Sequence, residues 1–219
     1  MIMDIYEFAR GPLAWISFCI FSLGSLYHVV SILYSGKSEP VLEKSRRNYD
    51  AARSILHGII PFSSIIMRRK PFFTFVTFTF HICVVLLPVF LLAHTVLLYE
   101  SWRIQWLSLP DTMADIMTIW VIIACIYFVF RRTTIADAKK VSRPIDFLFP
   151  AIIIVIFLTG FLASHQWGPY RPLLILHILT SEMLLMILPF SKLGHMLFFW
   201  FSRAYMGAEF GKHMAEGDW

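Results

Sequence analysis

Apolar residues in this chain are gathered into five long runs, at about residues 13–34, 72–98, 113–130, 145–163 and 173–200. A helix needs about 20 residues to cross the roughly 30 Å hydrocarbon core of a bilayer, so each run is long enough for one transmembrane helix. No internal repeat or separate polar domain interrupts the series. The pattern therefore predicts an all-α integral membrane protein with five transmembrane helices, in which residues 1–219 form a single membrane domain.

Basic residues are concentrated in alternate connections between these runs. Residues 35–71, 131–144 and 202–219 carry eight, five and two Lys or Arg, whereas the connections on the opposite side carry only three. Cytoplasmic segments of membrane proteins are enriched in Lys and Arg. The distribution predicts an N-out, C-in topology, in which residues 35–71 form a cytoplasmic loop.

The middle of this loop, about Val41–Met67, mixes charged residues with apolar ones at near-helical spacing. That spacing is typical of a helix that lies on the membrane surface or against a partner. The alternative is a solvated basic loop whose charge reflects membrane topology alone.

Composition supports a membrane protein and argues against two other classes. The chain has 219 residues, of which 58% are hydrophobic. Its formal net charge of +5 comes from particular loops, so it does not indicate a nucleic-acid partner. A pore needs rings of polar residues around a lumen, and the apolar runs contain too few polar residues to supply them.

Histidines inside the apolar runs are the strongest candidates for chemistry. His177 and His195 lie eighteen residues apart in the fifth run, and His81 and His94 lie in the second. On one helix His177 and His195 are expected about 27 Å apart and on the same face, subject to a kink at Pro189. Ionisable side chains inside a membrane usually serve a function. Four such histidines are enough to supply the axial ligands of two haems.

Topology predicts how these histidines pair. The second and fifth helices run in opposite directions, so His81 is expected to face His195 near the inner surface and His94 to face His177 further out. The haems would then be held between these two helices. His81 and His94 are thirteen residues apart, which is about 220° of rotation on an ideal helix. Either Pro88 bends the helix between them or the haems lie on different sides of it.

No Cys-x-x-Cys-His motif for covalent haem attachment is present, so the haem would be bound non-covalently. His28, in the first run, is interpreted as a packing or interface residue, with haem ligation as the alternative. His57 lies in the basic loop and is expected to face water or lipid headgroups.

Several charged residues have two interpretations each. Lys192 either reaches a haem propionate or extends to the inner membrane surface. Glu182 is either a hydrogen-bonded structural carboxyl or a proton relay for quinone chemistry. A further group at the outer surface is placed to surround a quinone headgroup or an outer haem propionate: Glu100, Arg103, His165 and Arg171.

The run LPFSKLGH, which ends at His195 and follows His177, resembles the last transmembrane helix of the gamma subunit of respiratory nitrate reductases. It also resembles the related membrane cytochromes of sulfate-reducer transmembrane redox complexes and of heterodisulfide reductases. The thirteen-residue separation of His81 and His94 differs from the shorter spacing of nitrate reductases and favours the sulfate-reducer branch.

The resemblance implies a di-haem cytochrome b of anaerobic respiration, with His81, His94, His177 and His195 as axial ligands of two non-covalent haem b groups. It implies electron exchange between menaquinone or another quinone and a cytoplasmic iron–sulfur subunit like that of heterodisulfide reductase. Other membrane or periplasmic cytochrome subunits are further expected partners, and the prokaryotic cytoplasmic (inner) membrane is the expected location. The alternative function is a haem-free membrane anchor that assembles a respiratory complex.

Overall fold

The computed structural model describes residues 4–35 and 44–210, and the regular structure of these residues is entirely helical. The helices, in chain order, are α1 (Ile5–Phe8), α2 (Ala14–Ser35), α3 (Lys44–Ile59), α4 (Ile65–Arg69), α5 (Pro71–Phe90), α6 (Leu92–Trp102), α7 (Asp111–Thr134), α8 (Ala136–Val141), α9 (Ile145–Ser164), α10 (Tyr170–Ile187) and α11 (His195–Phe210). A π-helical turn joins α1 to α2, and two 3₁₀ turns separate α10 from α11. The predicted all-α class is confirmed for these residues.

Five helical stretches are long and apolar enough to cross a membrane: Ile5–Tyr34, Pro71–Phe90, Asp111–Thr134, Ile145–Ser164 and Tyr170–Phe190. The shortest has 20 residues, which at about 1.5 Å per residue matches the roughly 30 Å hydrocarbon core. Large apolar side chains remain exposed along these helices, such as Leu23 (68%) and Ile116 (63%). Soluble proteins rarely expose so much apolar surface, whereas lipid solvates it well. The prediction of five membrane-length helices is confirmed.

One compact unit comprises Val76–Ser181 together with the N-terminal residues up to Ala9. Its centre is the packing of α7 on α9, where α7 contributes the fully buried Val121 and Cys125. The indole Nε1–H of Trp120 donates a hydrogen bond of 3.0 Å to Thr79 Oγ1 and so ties α7 to α5. Small side chains on α7 allow this close helix contact in an apolar environment.

The other unit comprises Arg10–Phe75 and the residues from Glu182 onward. Here α3 packs along α11, and their backbones lie close together at Gly207, where an added Cβ would lie 2.5 Å from the Asp50 carbonyl oxygen. The helix predicted within Val41–Met67 is therefore present as α3. The partner that it meets in the structure is a helix of the same chain.

Two of the predicted spans are broken in the structure. The span predicted at 72–98 consists of α5 and α6, separated at Leu91, whose φ of −66° and ψ of 132° are extended. The span predicted at 173–200 is interrupted at Ser191, with φ of −111° and ψ of 175°. The expectation that His177 and His195 share one face of a continuous helix is therefore wrong. Both breaks closely follow a proline, Pro88 or Pro189, which lacks an N–H and crowds the preceding turn.

Candidate functional site

The end of α5 leaves backbone carbonyls without helical partners, and the chain that follows supplies new donors. The Nε1–H of Trp106 donates to the Val89 carbonyl at 2.8 Å, and the Leu109 N–H donates to the Phe90 carbonyl at 2.8 Å. The segment after α6 thus folds back onto the end of α5. These bonds stabilise the helix break, because carbonyls that lose their helical donors must be satisfied elsewhere in an apolar environment.

His94 uses a third carbonyl exposed by the same break. Its Nδ1 lies 3.0 Å from the Pro88 carbonyl oxygen. A carbonyl oxygen only accepts hydrogen bonds, so Nδ1 carries the proton and donates, and Nε2 keeps the lone pair that binds metals. The break also answers the question raised by the thirteen-residue spacing. His81 lies on α5 and His94 on α6, so the rotation of one ideal helix does not relate them.

His177 on α10 has the same arrangement. Its Nδ1 donates to the Ile156 carbonyl of α9 at 2.9 Å. The rings of His94 and His177 face each other with their centroids 6.2 Å apart and their planes inclined by only 20°. The structure therefore brings together the two residues predicted to form the outer pair, and it holds both rings by bonds from Nδ1 to backbone carbonyls.

The distance between these rings can be compared with the requirements of a haem iron. Two metal–imidazole bonds of about 2.0–2.1 Å and two ring radii of about 1.1 Å add up to about 6.2–6.4 Å when both Nε2 atoms point at the metal. The centroids of the two rings are 6.2 Å apart in the structure. Histidine ligands of metals characteristically donate their second ring N–H to a carbonyl or carboxylate, as both residues do here. His94 and His177 are therefore the residues that would hold a haem iron here, each through the Nε2 lone pair that its Nδ1–H bond leaves free.

No group of three or more His, Cys, Asp or Glu side chains suited to a metal ion occurs among residues 4–35 and 44–210. Structural zinc and similar ions usually need about four protein ligands. A haem supplies four nitrogens of its own and takes only two ligands from the protein.

Each of the other two predicted ligands also donates a hydrogen bond from Nδ1 to a backbone carbonyl. His81 Nδ1 donates to the Thr77 carbonyl at 2.7 Å, and His195 Nδ1 donates to the Lys192 carbonyl at 2.7 Å. His81 belongs to the unit built on Val76–Ser181 and His195 to the other unit. Their pairing stays a prediction.

Three of the four charged residues expected to gather at the outer surface have a contact in the structure, and their gathering stays a prediction. Arg171 forms an ion pair with Asp4. The His165 ring lies 3.2 Å from an Asp115 carboxylate oxygen. The guanidinium of Arg103 lies 5.4 Å from the centre of the Tyr99 ring. A propionate at Arg171 would therefore share this side chain with a carboxylate already bound to it.

Two further polar candidates lie inside the apolar runs: His28, which contacts aromatic rings, and Glu182, which is buried. His28 contacts the rings of Phe190 and Phe198, with centroids 6.0 and 5.3 Å away, in agreement with its interpretation as a packing residue. Glu182 is only 8% exposed, and neither of its carboxyl oxygens has a hydrogen-bond partner among the described residues. The structure thus does not supply the hydrogen-bonded carboxyl that was one interpretation of Glu182. Its role as a proton relay stays a prediction.

Two residues that position the histidines were not singled out from the sequence. Trp106, which binds the end of α5, was not among the candidate residues. Gly160 lies against the His177 ring, where an added Cβ would approach Nδ1 and Cε1 to 2.9 Å. A glycine within an apolar run was the available signal, because glycine there often marks a close approach.

The Trp106 bond can be tested directly. Trp106→Phe keeps an aromatic ring but removes the donor to the Val89 carbonyl, which should cost about 0.5–1.5 kcal/mol in the stability of the helix break. We expect faster hydrogen exchange in the first turn of α6, which carries His94. Mass spectrometry of the detergent-solubilised protein would measure it, with Trp200→Phe in α11 as the matched control. Equal exchange in the two variants would contradict a role for Trp106 in the break.

These features define the class of protein: a multi-pass α-helical membrane protein with a pair of ring-to-ring histidines between two of its helices. A curated protein of Nitratidesulfovibrio vulgaris strain Hildenborough is 33% identical over 211 residues, which cover 94% of this chain and 93% of the relative. The chain belongs to the same family as this protein, whose name, simply "Protein", states no activity. No protein-family model matches the chain, and no solved structure matches it.

Proposed function

We propose that this chain is the di-haem b membrane subunit of an anaerobic respiratory oxidoreductase that passes electrons between the quinone pool and an iron–sulfur partner. The observation that carries this proposal is the pair formed by His94 and His177. The rings are nearly parallel, their centroids are 6.2 Å apart, and each Nδ1–H is bound to a backbone carbonyl, so that each Nε2 keeps the lone pair that would bind iron.

His81 and His195 are assigned to the second haem, because each has the same Nδ1–H bond to a carbonyl of its own helix turn. A haem with both axial positions filled changes its oxidation state without binding a substrate. Lys192 and Arg171 are assigned to haem propionates, and Arg171 would exchange part of its ion pair with Asp4 for this contact. Glu182, buried without a partner, is assigned to proton transfer at the quinone.

The partner side of the proposal depends on the predicted topology. With the N-terminus outside, the basic segments 35–71 and 131–144 lie in the cytoplasm of a prokaryotic cell. They would offer a positive surface to an iron–sulfur subunit like that of heterodisulfide reductase. Menaquinone or a similar quinone in the membrane would be the other redox partner, and additional cytochrome subunits would complete the complex.

The experiment is a pyridine haemochrome assay on the purified full-length chain, combined with acid–acetone extraction. We expect two haem b groups for each chain, all extractable, because the sequence has no haem-attachment motif. A reduced-minus-oxidised spectrum should show paired low-spin b-type bands, and addition of a menaquinol analogue should reduce them. Protein that is folded and free of haem would overturn the proposal and leave the membrane anchor as the better function.

A further inference from the structure

The surface of α9 that faces His177 has a notch at Gly160. A Cβ added to this residue would lie 2.9 Å from Nδ1 and 2.9 Å from Cε1 of His177, and 3.6 Å from Nε2. Non-bonded carbon and nitrogen atoms rarely approach below about 3.5 Å without a hydrogen bond. The ring of His177 therefore occupies space that only a glycine at position 160 leaves open.

The same notch contains the hydrogen-bond acceptor of the ring. The Ile156 carbonyl, which accepts from His177 Nδ1 at 2.9 Å, belongs to the residue one helical turn before Gly160. Residues four apart lie above one another on the same side of a helix. The missing side chain at Gly160 and the carbonyl at Ile156 thus act on the same ring. The missing side chain leaves room for the ring at the helix surface, and the carbonyl accepts the hydrogen bond from Nδ1.

An ordinary glycine at a helix crossing allows two backbones to approach each other. Gly160 differs, because the three heavy atoms nearest to its added Cβ all belong to the imidazole of His177. In contrast, the nearest atoms at Gly207 include the backbone of the facing helix. The space at Gly160 is therefore used by a single side chain, and that side chain is one of the two rings of the outer pair.

We propose that Gly160 is a positioning residue that sets the plane and depth of the His177 ring and thereby the near-parallel geometry of the His94–His177 pair. This inference rests on the proposed haem function. A methyl group at position 160 would move the ring away from α9, lengthen its bond to Ile156 and change the 20° angle between the two rings. The electronic structure of a haem with two imidazole ligands depends on this angle and on the hydrogen bond that each imidazole donates from Nδ1.

The test compares Gly160→Ala with Gly11→Ala in the full-length, haem-loaded protein. Gly11 is a matched control because an added Cβ meets nothing within 4 Å there. Electron paramagnetic resonance of the oxidised protein should show shifted g values for one haem in Gly160→Ala and an unchanged signal for the other. A potentiometric titration should likewise shift one midpoint potential. Gly11→Ala should match the wild type in both measurements.

The possible results separate this inference from the proposed function. If the wild type binds two haems and Gly160→Ala leaves their spectrum unchanged, or disturbs both haems equally, the inferred role of Gly160 is overturned. The proposed function would then still stand. Wild-type protein without haem would overturn the proposed function and this inference with it. If Gly160→Ala fails to fold, the double variant Gly160→Ala/His177→Gly decides. Recovery of folded protein supports the clash with His177, and continued failure overturns it.

Discussion

His94→Ala and His177→Ala should each lower the haem content from two groups per chain to about one, and both should remove the same haem. The centroids of these rings are 6.2 Å apart, so either substitution would remove one of the two imidazoles assigned to the proposed outer haem. The double variant should lose no more haem than either single variant. Pyridine haemochrome assays and redox titrations of the four proteins would measure this result.

The matched control is His28→Ala, which also removes a histidine from a membrane-spanning helix. His28 lies among the rings of Phe190 and Phe198, so its loss should leave both haems in place. Free imidazole added to His94→Gly or His177→Gly should restore the missing haem spectrum, because the small ligand fits the space left by the side chain. Loss of a haem in His28→Ala, with full content in His94→Ala, would contradict the assigned pair.

The same logic extends to the inner pair. His81→Ala and His195→Ala should remove the haem that survives in His94→Ala, and the combination His81→Ala/His94→Ala should leave none. If His81→Ala and His94→Ala remove the same haem, the predicted pairing of inner and outer histidines fails.

Membrane spans could be predicted from this sequence because lipid imposes a simple length requirement on apolar runs. Each of the five predicted runs overlaps a membrane-length helical stretch, although the ends differ by up to ten residues and two of the runs are broken. The helix breaks at Leu91 and Ser191 were harder to predict from the sequence. Pro88 and Pro189 indicate where a helix is weak, but the position of the break depends on donors from elsewhere in the chain. For α5, the donors are Trp106 and Leu109, and no local pattern identifies them in advance.

The candidate site likewise has some features that the sequence predicts and others that it does not. His94 and His177 could be paired from topology alone, because two antiparallel helices place residues of equal depth opposite each other. The hydrogen bonds from their Nδ1 atoms to backbone carbonyls could not be predicted, since the acceptor of His177 is the Ile156 carbonyl on a third helix. The ion pair between Arg171 and Asp4 is similar, because it joins residues that are 167 positions apart in the sequence. Such contacts depend on how distant helices meet, which composition and spacing do not encode.

The contact between α3 and α11 was likewise absent from the sequence interpretation, and it involves a helix within the predicted basic loop. The residues of α3 nearest to Gly207 are Asp50, Ala51 and Ser54. Asp50 is 8% exposed and Ser54 is 1% exposed, so this face of α3 is buried although the helix carries many charges. The first part of segment 35–71 is thus followed by a helix that is fixed to the C-terminal part of the chain.

Gly207→Ala should release α3 from α11. An added Cβ would lie 2.5 Å from the Asp50 carbonyl oxygen and 2.9 Å from the Ala51 Cα, so the obstacle is backbone that moves only if the whole helix moves. Overpacking of this kind costs about 1–3 kcal/mol, which corresponds to hydrogen exchange in α3 that is on the order of ten-fold faster or more. Hydrogen-exchange mass spectrometry of the full chain would measure it, and haem content should remain unchanged.

Gly58→Ala provides the matched control at the same interface. An added Cβ there would approach the end of the Phe199 ring to 2.5 Å, which is as close as the contact at Gly207. A side chain can turn away, whereas the backbone of α3 cannot, so Gly58→Ala should accelerate exchange much less than Gly207→Ala. If the docked α3 also helps to hold the iron–sulfur partner, Gly207→Ala should weaken partner binding while leaving quinol-driven haem reduction intact. Equal exchange in both variants would mean that backbone contact at Gly207 does not set the distance between α3 and α11.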